Sequence, residues 1–210
     1  MKKCALLLAV AMFIFMTIFG VNNVVFATEN TETDTYAIEK LEEFTQLFPK
    51  RKAYTQNEKD AANYIKQQFC DMGLPPYFND YLLDAEDYEG SKSQNVVAVK
   101  EADSSYFVVI GAHYDNVGLN NADGTSDNGS GVAVLLSLAN KLKDIELPFD
   151  VVFAAFGAEE EGMVGSYGFV NDIVTRAEKC LVYINLDSIA CGDYCYIYGE
   201  DIKTPYVDFF

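Results

Sequence analysis

Imidazole and carboxylate side chains stand at the ends of apolar segments in the central part of this 210-residue chain. The set consists of His113, Asp127, Glu160 and Asp187, with Asp115 and Glu159 beside it. Zinc accepts one imidazole together with carboxylates, and a carboxylate shared by two ions suits a pair of metals a few ångströms apart. Manganese or cobalt accepts the same ligands. Because a free carboxylate can take a proton from water, the set predicts metal-assisted acid–base chemistry.

His113 is the only histidine of the sequence and directly follows the apolar segment 106–112. An isolated histidine is more often a hydrogen-bonded core or surface residue than a metal ligand. Asp115 lies two positions further on, and residues two apart in an extended segment face the same way. Asp115 can therefore accept a hydrogen bond from one ring nitrogen and leave the other nitrogen free for a metal ion. In this context we favour ligation.

Each of the other carboxylates also has a purely structural interpretation. Asp127 lies in Ser-Asp-Asn-Gly-Ser-Gly directly before a predicted helix, where aspartate commonly caps the first turn, and capping is compatible with ligation. Glu159 and Glu160 belong to an acidic run, and most acidic runs are simply solvated. This run, however, follows an apolar strand at the mouth of the predicted sheet. Asp187 follows an equally apolar segment, where a carboxylate needs a partner such as a cation.

Extended and helical patterns alternate along the chain. Strands are predicted over residues 95–100, 106–112, 151–156 and 180–186, and residues 194–198 are a further candidate. Helices are predicted over residues 36–48, 55–72, 130–143 and 164–170. Thr55 and Glu58 predict a capping box at the start of the second helix, Gly73 predicts its end, and Leu-Pro-Pro at 74–76 begins a loop or an edge segment. This alternation predicts an α/β fold: a three-layer α/β/α sandwich with a mostly parallel central sheet, whose strand ends present the ligands.

The first 27 residues have the pattern of a signal peptide. Lys2 and Lys3 precede an apolar run over residues 4–21, and Val25-Phe26-Ala27 forms a cleavage site. An uncleaved membrane anchor is the alternative, because the apolar run is near the minimum length of a span. Cleavage leaves a flexible leader at 28–35 and one catalytic domain at 36–210. We expect a secreted or cell-surface protein without stable membrane association after cleavage.

The chain is strongly acidic. Cleavage would remove two lysine charges and no acid, which changes the formal net charge from −17 to −19. Such a charge argues against nucleic acid and anionic membranes as partners. Four cysteines would remain after cleavage: Cys70, Cys180, Cys191 and Cys195. Free thiols or one disulfide, with the last two as the nearest pair, are expected rather than metal ligation.

Four ordered blocks resemble the secreted di-zinc (co-catalytic) aminopeptidases, which are related to glutamate carboxypeptidase, glutaminyl cyclase and the transferrin receptor ectodomain. The blocks are Gly-Ala-His113-Tyr-Asp115, Ser-Asp127-Asn-Gly-Ser-Gly, Gly-Ala-Glu159-Glu160-Glu-Gly and Asn185-Leu-Asp187. The resemblance is clear over about residues 94–190 and weaker from Tyr36. It implies a zinc exopeptidase-like fold and hydrolysis at the N-termini of peptides or proteins.

The resemblance also implies a role for each position. Asp127 would bridge two zinc ions, of which His113 and Asp187 would hold one and Glu160 the other. Asp115 would orient His113, and Glu159 would be the general base that takes a proton from the metal-activated water and passes it to the leaving amine. The family has a second histidine ligand late in the domain, whereas this sequence has no histidine after His113. We therefore expect either a domain that lacks its C-terminal part or an incomplete second zinc site.

Other functions stay open at this level. A glutaminyl cyclase resembles a one-zinc design, although the blocks at 127–131 and 157–162 look more like the peptidase pattern. A carboxypeptidase is possible because the metal ligands do not say which terminus is held. An inactive binding domain would have lost ligands, whereas the four ligand positions and the base are present here. Four aromatic residues could line a pocket, but we favour core or surface positions for them: Tyr77, Phe78, Tyr81 and Tyr114. The oligomeric state stays open.

Overall fold

The computed structural model describes residues 35–82, 92–119 and 123–190. The predicted signal peptide, the leader up to residue 34, Cys191 with Cys195, and the possible strand at 194–198 lie outside the described residues. Residues 35–188 belong to one compact unit. In the part of the chain that is described, every helix is too short or too polar to cross a bilayer.

Two amphipathic helices come first, α1 over Thr35–Leu47 and α2 over Gln56–Asp71. α1 begins at Thr35, one residue before the predicted start of the first helix at residue 36. Helical spacing directs Phe44 of α1 into the core, whereas Leu47 is exposed. The apolar face of α2 points inward, and four of its residues are buried: Ala61, Ala62, Ile65 and Phe69.

Both ends of α2 follow from local chemistry. The Thr55 hydroxyl accepts a hydrogen bond from the Glu58 amide at 3.3 Å, as a capping residue does. The reciprocal half of the predicted capping box was wrong, because the Glu58 carboxylate binds the amide of Tyr54 instead of that of Thr55. At the other end, Gly73 adopts a φ of 77°, a left-handed conformation that closes the helix at little steric cost.

Five strands form one sheet within the described residues. They are β1 Pro76–Leu82, β2 Lys92–Lys100, β3 Phe107–His113, β4 Asp150–Phe156 and β5 Cys180–Asn185, in the order β1-β2-β4-β3-β5. β3 pairs in parallel with β4 and β5, whereas β2 is antiparallel to both β4 and β1. Four of these strands therefore run in one direction and β2 runs in the other, as a mostly parallel sheet requires. The segment after Leu74 is an edge strand, and Pro76 takes its first position, where the missing N–H is tolerated.

Helices cover both faces of the sheet. The later helices are α3, Ser130–Leu142, and α4, Val164–Ile173, which leads into a 3-10 turn over Val174–Lys179. The ring of Phe69 on α2 lies 6.2 Å from that of Phe153 on one face. On the other face, Phe169 of α4 meets Phe156 edge-on at 5.5 Å. This arrangement confirms the predicted α/β/α sandwich and explains why β3 and β4 are apolar almost throughout.

Candidate metal centre

The predicted site residues meet at one edge of the sheet, where β3, β4 and β5 end. His113 is the last residue of β3 and pairs in register with Phe156, the last residue of β4. Glu159 and Glu160 follow β4, and Asp187 follows β5 by two residues. Asp127 approaches from the turn Thr125–Gly129, directly before α3. Parallel strands thus bring together carboxylates that are far apart in sequence.

His113 is buried and faces carboxylates with both ring nitrogens. Its Nε2 lies 3.1 Å from Oδ1 of Asp127, 3.7 Å from Oδ1 of Asp187 and 4.0 Å from Oε2 of Glu159. Its Nδ1 lies 3.6 Å from Oδ1 of Asp115, too far for a normal hydrogen bond, and finds no other hydrogen-bond partner among the described residues. The predicted pairing of His113 with Asp115 is therefore present as a close contact.

The potential ligands fall into two groups that share His113. One group contains His113, Asp127 and Asp187, and the other contains His113, Glu159 and Glu160. Within each group, ligand atoms lie within 4.8 Å of one another. Asp127 belongs to the first group and Glu160 to the second, so a carboxylate shared by two ions stays a prediction. Cys70 and Cys180 belong to neither group, and both are free thiols.

The electrostatics of these residues fit a cation. Burial lowers the pKa of His113, but its contacts with Asp115 and Asp187 outweigh burial and raise that pKa to about 10. Burial raises the pKa of Glu159 and Glu160, and neighbouring carboxylates add to the effect. The contributions of the neighbouring carboxylates to these shifts reflect the negative charge gathered around His113, which a divalent ion would neutralise. One imidazole among carboxylates is also a ligand set that zinc takes, so the residues fit zinc.

Asp115 makes hydrogen bonds with the backbone of the site, in addition to the contact with His113 that the sequence predicted. It is fully buried, and its Oδ1 accepts a hydrogen bond from the Glu159 amide at 3.0 Å while its Oδ2 accepts one from the Glu160 amide at 3.2 Å. One carboxylate thus contacts the imidazole of His113 and fixes the backbone of both glutamates. The sequence pattern gave no sign of these two backbone contacts.

Asn128, which the sequence analysis missed, anchors the turn that carries Asp127. The peptide bond between the two residues is cis. Asn128 donates to the carbonyl of Leu186 at 2.8 Å and accepts from the amide of Gly131 at 2.9 Å. It therefore joins the start of α3 to the segment that carries Asp187. The alternative role of Asp127 as a helix cap was wrong, because Asn128 bonds the first turn of α3 and the Asp127 side chain faces His113.

Arg51 is a second support that the sequence did not reveal. It is fully buried, and its guanidinium donates to the backbone carbonyls of Tyr114, Phe48, Asp123 and Gly124. Its burial lowers the pKa to about 10, although nearby carboxylates, Asp115 first, oppose the shift, so the side chain stays cationic at neutral pH. Arg51 lies between Lys50 and Lys52 in a short basic run, and nothing in the sequence distinguishes Arg51 from these two lysines.

A cavity of about 330 Å³ lies beside the carboxylates. His113, Glu159 and Asp187 belong to its lining. The rest of the lining is mainly apolar, with Ser166 and Asn185 beside five larger residues: Phe156, Met163, Tyr167, Val170 and Tyr183. Of the aromatic residues named from the sequence, Tyr77, Phe78 and Tyr114 do not line this cavity, and the side chain of Tyr81 is outside the described part of the structure. Tyr77 is half-exposed on β1, and Tyr114 is buried with its hydroxyl bound to the Gln94 carbonyl, which agrees with the core and surface positions we favoured.

Comparisons with known proteins identify relatives of this fold and site. The sequence profile of Peptidase family M28 matches residues 95–206. An alkaline phosphatase isozyme conversion protein from Escherichia coli (strain K12) is 31% identical over 180 residues, which cover 76% of this chain and 52% of that protein. Aminopeptidase YwaD from Bacillus subtilis (strain 168) is 34% identical over 106 residues, which cover 49% of this chain and 23% of the relative.

Solved structures show the same fold. LapB from Legionella pneumophila has a TM-score of 0.61 at 27% identity, covering 73% of this chain and 43% of LapB. BSAP, a zinc aminopeptidase from Bacillus subtilis, has a TM-score of 0.66 at 17% identity and supports the fold alone, covering 74% of this chain and 69% of BSAP. The chain spans about half the length of its E. coli relative and about a quarter of YwaD. Because the family profile matches more than half of its residues, the chain belongs to peptidase family M28.

Proposed function

We propose that this protein is a zinc-dependent aminopeptidase that hydrolyses the N-terminal peptide bond of peptides or proteins. The observation that carries the proposal is the group of carboxylates around buried His113 at the carboxyl edge of the parallel strands. Membership of family M28 and relatives named as aminopeptidases in yeast and Bacillus subtilis support the same chemistry.

Four residues would hold the metal: His113, Asp127, Glu160 and Asp187. Asp127 and Asp187 approach the same imidazole nitrogen, which supports their assignment to one ion together with His113. Glu160 is assigned to a second ion, with Asp127 shared between the two; manganese or cobalt would suit the same ligands. Bound zinc would supply Lewis-acid polarisation of the peptide carbonyl and a lowered pKa of water.

Glu159 is the proposed general base. Its side chain is one-third exposed and lines the cavity, so it can reach a water molecule there. Burial raises its pKa, which makes it a stronger base than an ordinary glutamate. Glu159 would take a proton from the attacking water and pass it to the departing amine. Asp115 would act indirectly, through His113 and through the amides of both glutamates.

The named relatives favour an aminopeptidase over a carboxypeptidase, because those from yeast and Bacillus subtilis are called aminopeptidases. The metal ligands alone do not say which terminus is held, since bound cations would neutralise the carboxylates that line the cavity.

The substitution Glu159→Gln tests the proposal on the purified protein. We expect kcat for a peptide with a free N-terminal leucine to fall by at least about 10²-fold, because the base is lost. Zinc content per chain, measured by elemental analysis after dialysis, should stay unchanged. The matched control is Glu161→Gln, in the same acidic run but paired with Lys52 at 3.5 Å, and it should keep wild-type turnover.

Three outcomes would contradict parts of this proposal. Wild-type turnover in the Glu159→Gln variant would exclude Glu159 as the base. A wild-type protein that binds zinc but releases no amino acid would exclude the aminopeptidase. Loss of ammonia from an N-terminal glutamine peptide without hydrolysis would identify a glutaminyl cyclase instead.

We also propose that residues 1–27 direct export and are removed, so that the mature protein is secreted or held at the cell surface. The basic start, apolar run and small-residue site support this assignment. N-terminal sequencing of the exported protein should begin at Thr28. Recovery of intact Met1 in the membrane fraction would indicate an uncleaved anchor.

A further inference from the structure

We propose that Glu58 is a positioning residue for the loop that carries Glu159 and Glu160. Its carboxylate lies beneath this loop and acts on the backbone, away from the proposed substrate and metal. The consequence for turnover rests on the proposed function. The consequence for the conformation of the loop does not, so the two can be tested separately.

Glu58 is a buried carboxylate at a position where the sequence predicted a helix cap. It lies in the first turn of α2 and is 1% exposed. Its Oε2 accepts a hydrogen bond from the Tyr54 amide at 2.6 Å, and its Oε1 accepts one from the Ser93 hydroxyl on β2. The Ala158 amide also lies near this carboxylate and lowers its pKa. Two hydrogen-bond donors and the Ala158 amide, all from separate parts of the chain, therefore converge on one side chain, more than capping requires.

The loop after β4 depends on such contacts. β4 ends at Phe156, and three of the next four backbone amides donate to a buried side chain. The pairs are Gly157 with Asn95, and Glu159 and Glu160 with Asp115, while the Ala158 amide lies near Glu58 and lowers the pKa of that carboxyl. Buried amides need a partner, and these partners are side chains instead of a strand or helix. The three side chains therefore fix the backbone that aims both glutamates.

Ala158, in this loop, has a backbone conformation that needs stabilising contacts. Its φ of 50° lies in the left-handed region, which residues other than glycine seldom adopt. Tyr54, whose backbone amide donates to Glu58, also has a positive φ, 65°. Glu58 thus lies against two residues whose left-handed backbone conformation needs stabilising contacts. At Gly157, an added Cβ would lie 2.8 Å from Oε1 of Glu58, so glycine leaves the room that the buried carboxylate needs.

The substitution Glu58→Gln preserves the shape of the side chain but turns an amino group towards one of the donors. We expect faster hydrogen exchange in a peptide over residues 157–162, with exchange unchanged over α3. We also expect kcat to fall by about 10–100-fold at nearly constant KM, as displacement of reacting groups produces. Adding Ala158→Gly should restore part of kcat, because glycine adopts a φ of 50° without strain.

These measurements separate positioning from a general loss of stability. A folded Glu58→Gln variant with wild-type exchange over residues 157–162 and wild-type kcat would overturn the proposal. Failure of Ala158→Gly to restore any kcat would show that Glu58 does not act through Ala158. If the Gln variant does not fold, Glu58→Asp, which keeps the charge but shortens the reach, is judged by the same criteria. Faster loop exchange in a protein without aminopeptidase activity would support Glu58 and contradict the proposed function alone.

Discussion

Two irregular segments bring carboxylates to the site. A cationic side chain supports one segment, and anionic side chains support the other. The turn that carries Asp127 is held by Arg51, whose guanidinium donates to the carbonyls of Asp123 and Gly124 just before it. The loop that carries Glu159 is held by acceptors, among them the carboxylates of Glu58 and Asp115. The charge of each support matches the backbone groups that the segment exposes, carbonyls in the first case and amides in the second.

The two supports differ in how they respond to pH. Burial lowers the pKa of Arg51 to about 10, so Arg51 keeps its charge throughout the physiological range. Burial raises the pKa of Glu58 to about 7, although its hydrogen bonds with Ser93 and Tyr54 oppose the shift. Glu58 therefore changes charge near neutrality. We expect the turn to be insensitive to pH and the loop to be sensitive to it.

Removing the cationic support should have the largest effect on stability. The substitution Arg51→Met fills similar volume but leaves four backbone carbonyls without their donor, two of them in buried and two in partly buried hydrogen bonds. We expect the free energy of unfolding in urea to fall by about 3–5 kcal/mol, as for a broken buried ionic contact. The adjacent Lys52→Met is the control, because Lys52 is half-exposed and its surface pair with Glu161 contributes at most about 1 kcal/mol. Equal losses of unfolding free energy in the two variants would show that Arg51 contributes no more to stability than Lys52 does.

The contribution of Glu58 to stability should depend on pH. The carboxyl of Glu58 titrates near pH 4.5 when unfolded and near 7 when folded. Its contribution to stability is therefore full below pH 4.5 and is lost as the pH rises through 7, because the folded state holds the proton more tightly. This shift corresponds to about 3 kcal/mol at most.

The measurement is the difference in unfolding free energy between wild type and Glu58→Gln, taken from pH 4 to pH 8. The difference cancels the other titrating groups that both proteins share. It should favour the wild type most at low pH and decline towards pH 8. A difference that is constant with pH would mean that Glu58 has an ordinary pKa in the folded protein.

The sequence predicts the polar groups at the strand ends better than it predicts their supports. His113 and Asp187 each end an apolar segment, and this change from apolar to polar residues is visible in the sequence alone. The meeting of the carboxyl ends of β3, β4 and β5 at one edge of the sheet then follows from general rules for parallel sheets. Arg51 and Glu58 carry no such signal, because each lies among polar residues and becomes buried only through tertiary packing.

The errors in the local predictions have the same cause. Glu58 fits the capping-box spacing, but Ser93 and the loop at Ala158 draw its carboxylate away from the Thr55 amide. Asp127 precedes a helix as a cap does, but its carboxylate contacts His113, and Asn128 makes the bond to Gly131 instead. In both cases a tertiary contact competes with a local hydrogen bond of similar strength, and local spacing cannot decide between them.

Asp115 connects the two halves of the site, since it contacts His113 and binds the amides of Glu159 and Glu160. The substitution Asp115→Asn should weaken zinc binding by about 10–100-fold, because it opposes one amide with an amino group and loses the charge beside the imidazole. Competition with a chromophoric chelator measures this affinity. Asp150→Asn is the control: Asp150 also accepts a backbone amide, that of Ala102 at 2.7 Å, but lies at the start of β4, so zinc affinity should be unchanged. Equal zinc affinity in both variants would show that Asp115 supports the fold without tuning the site.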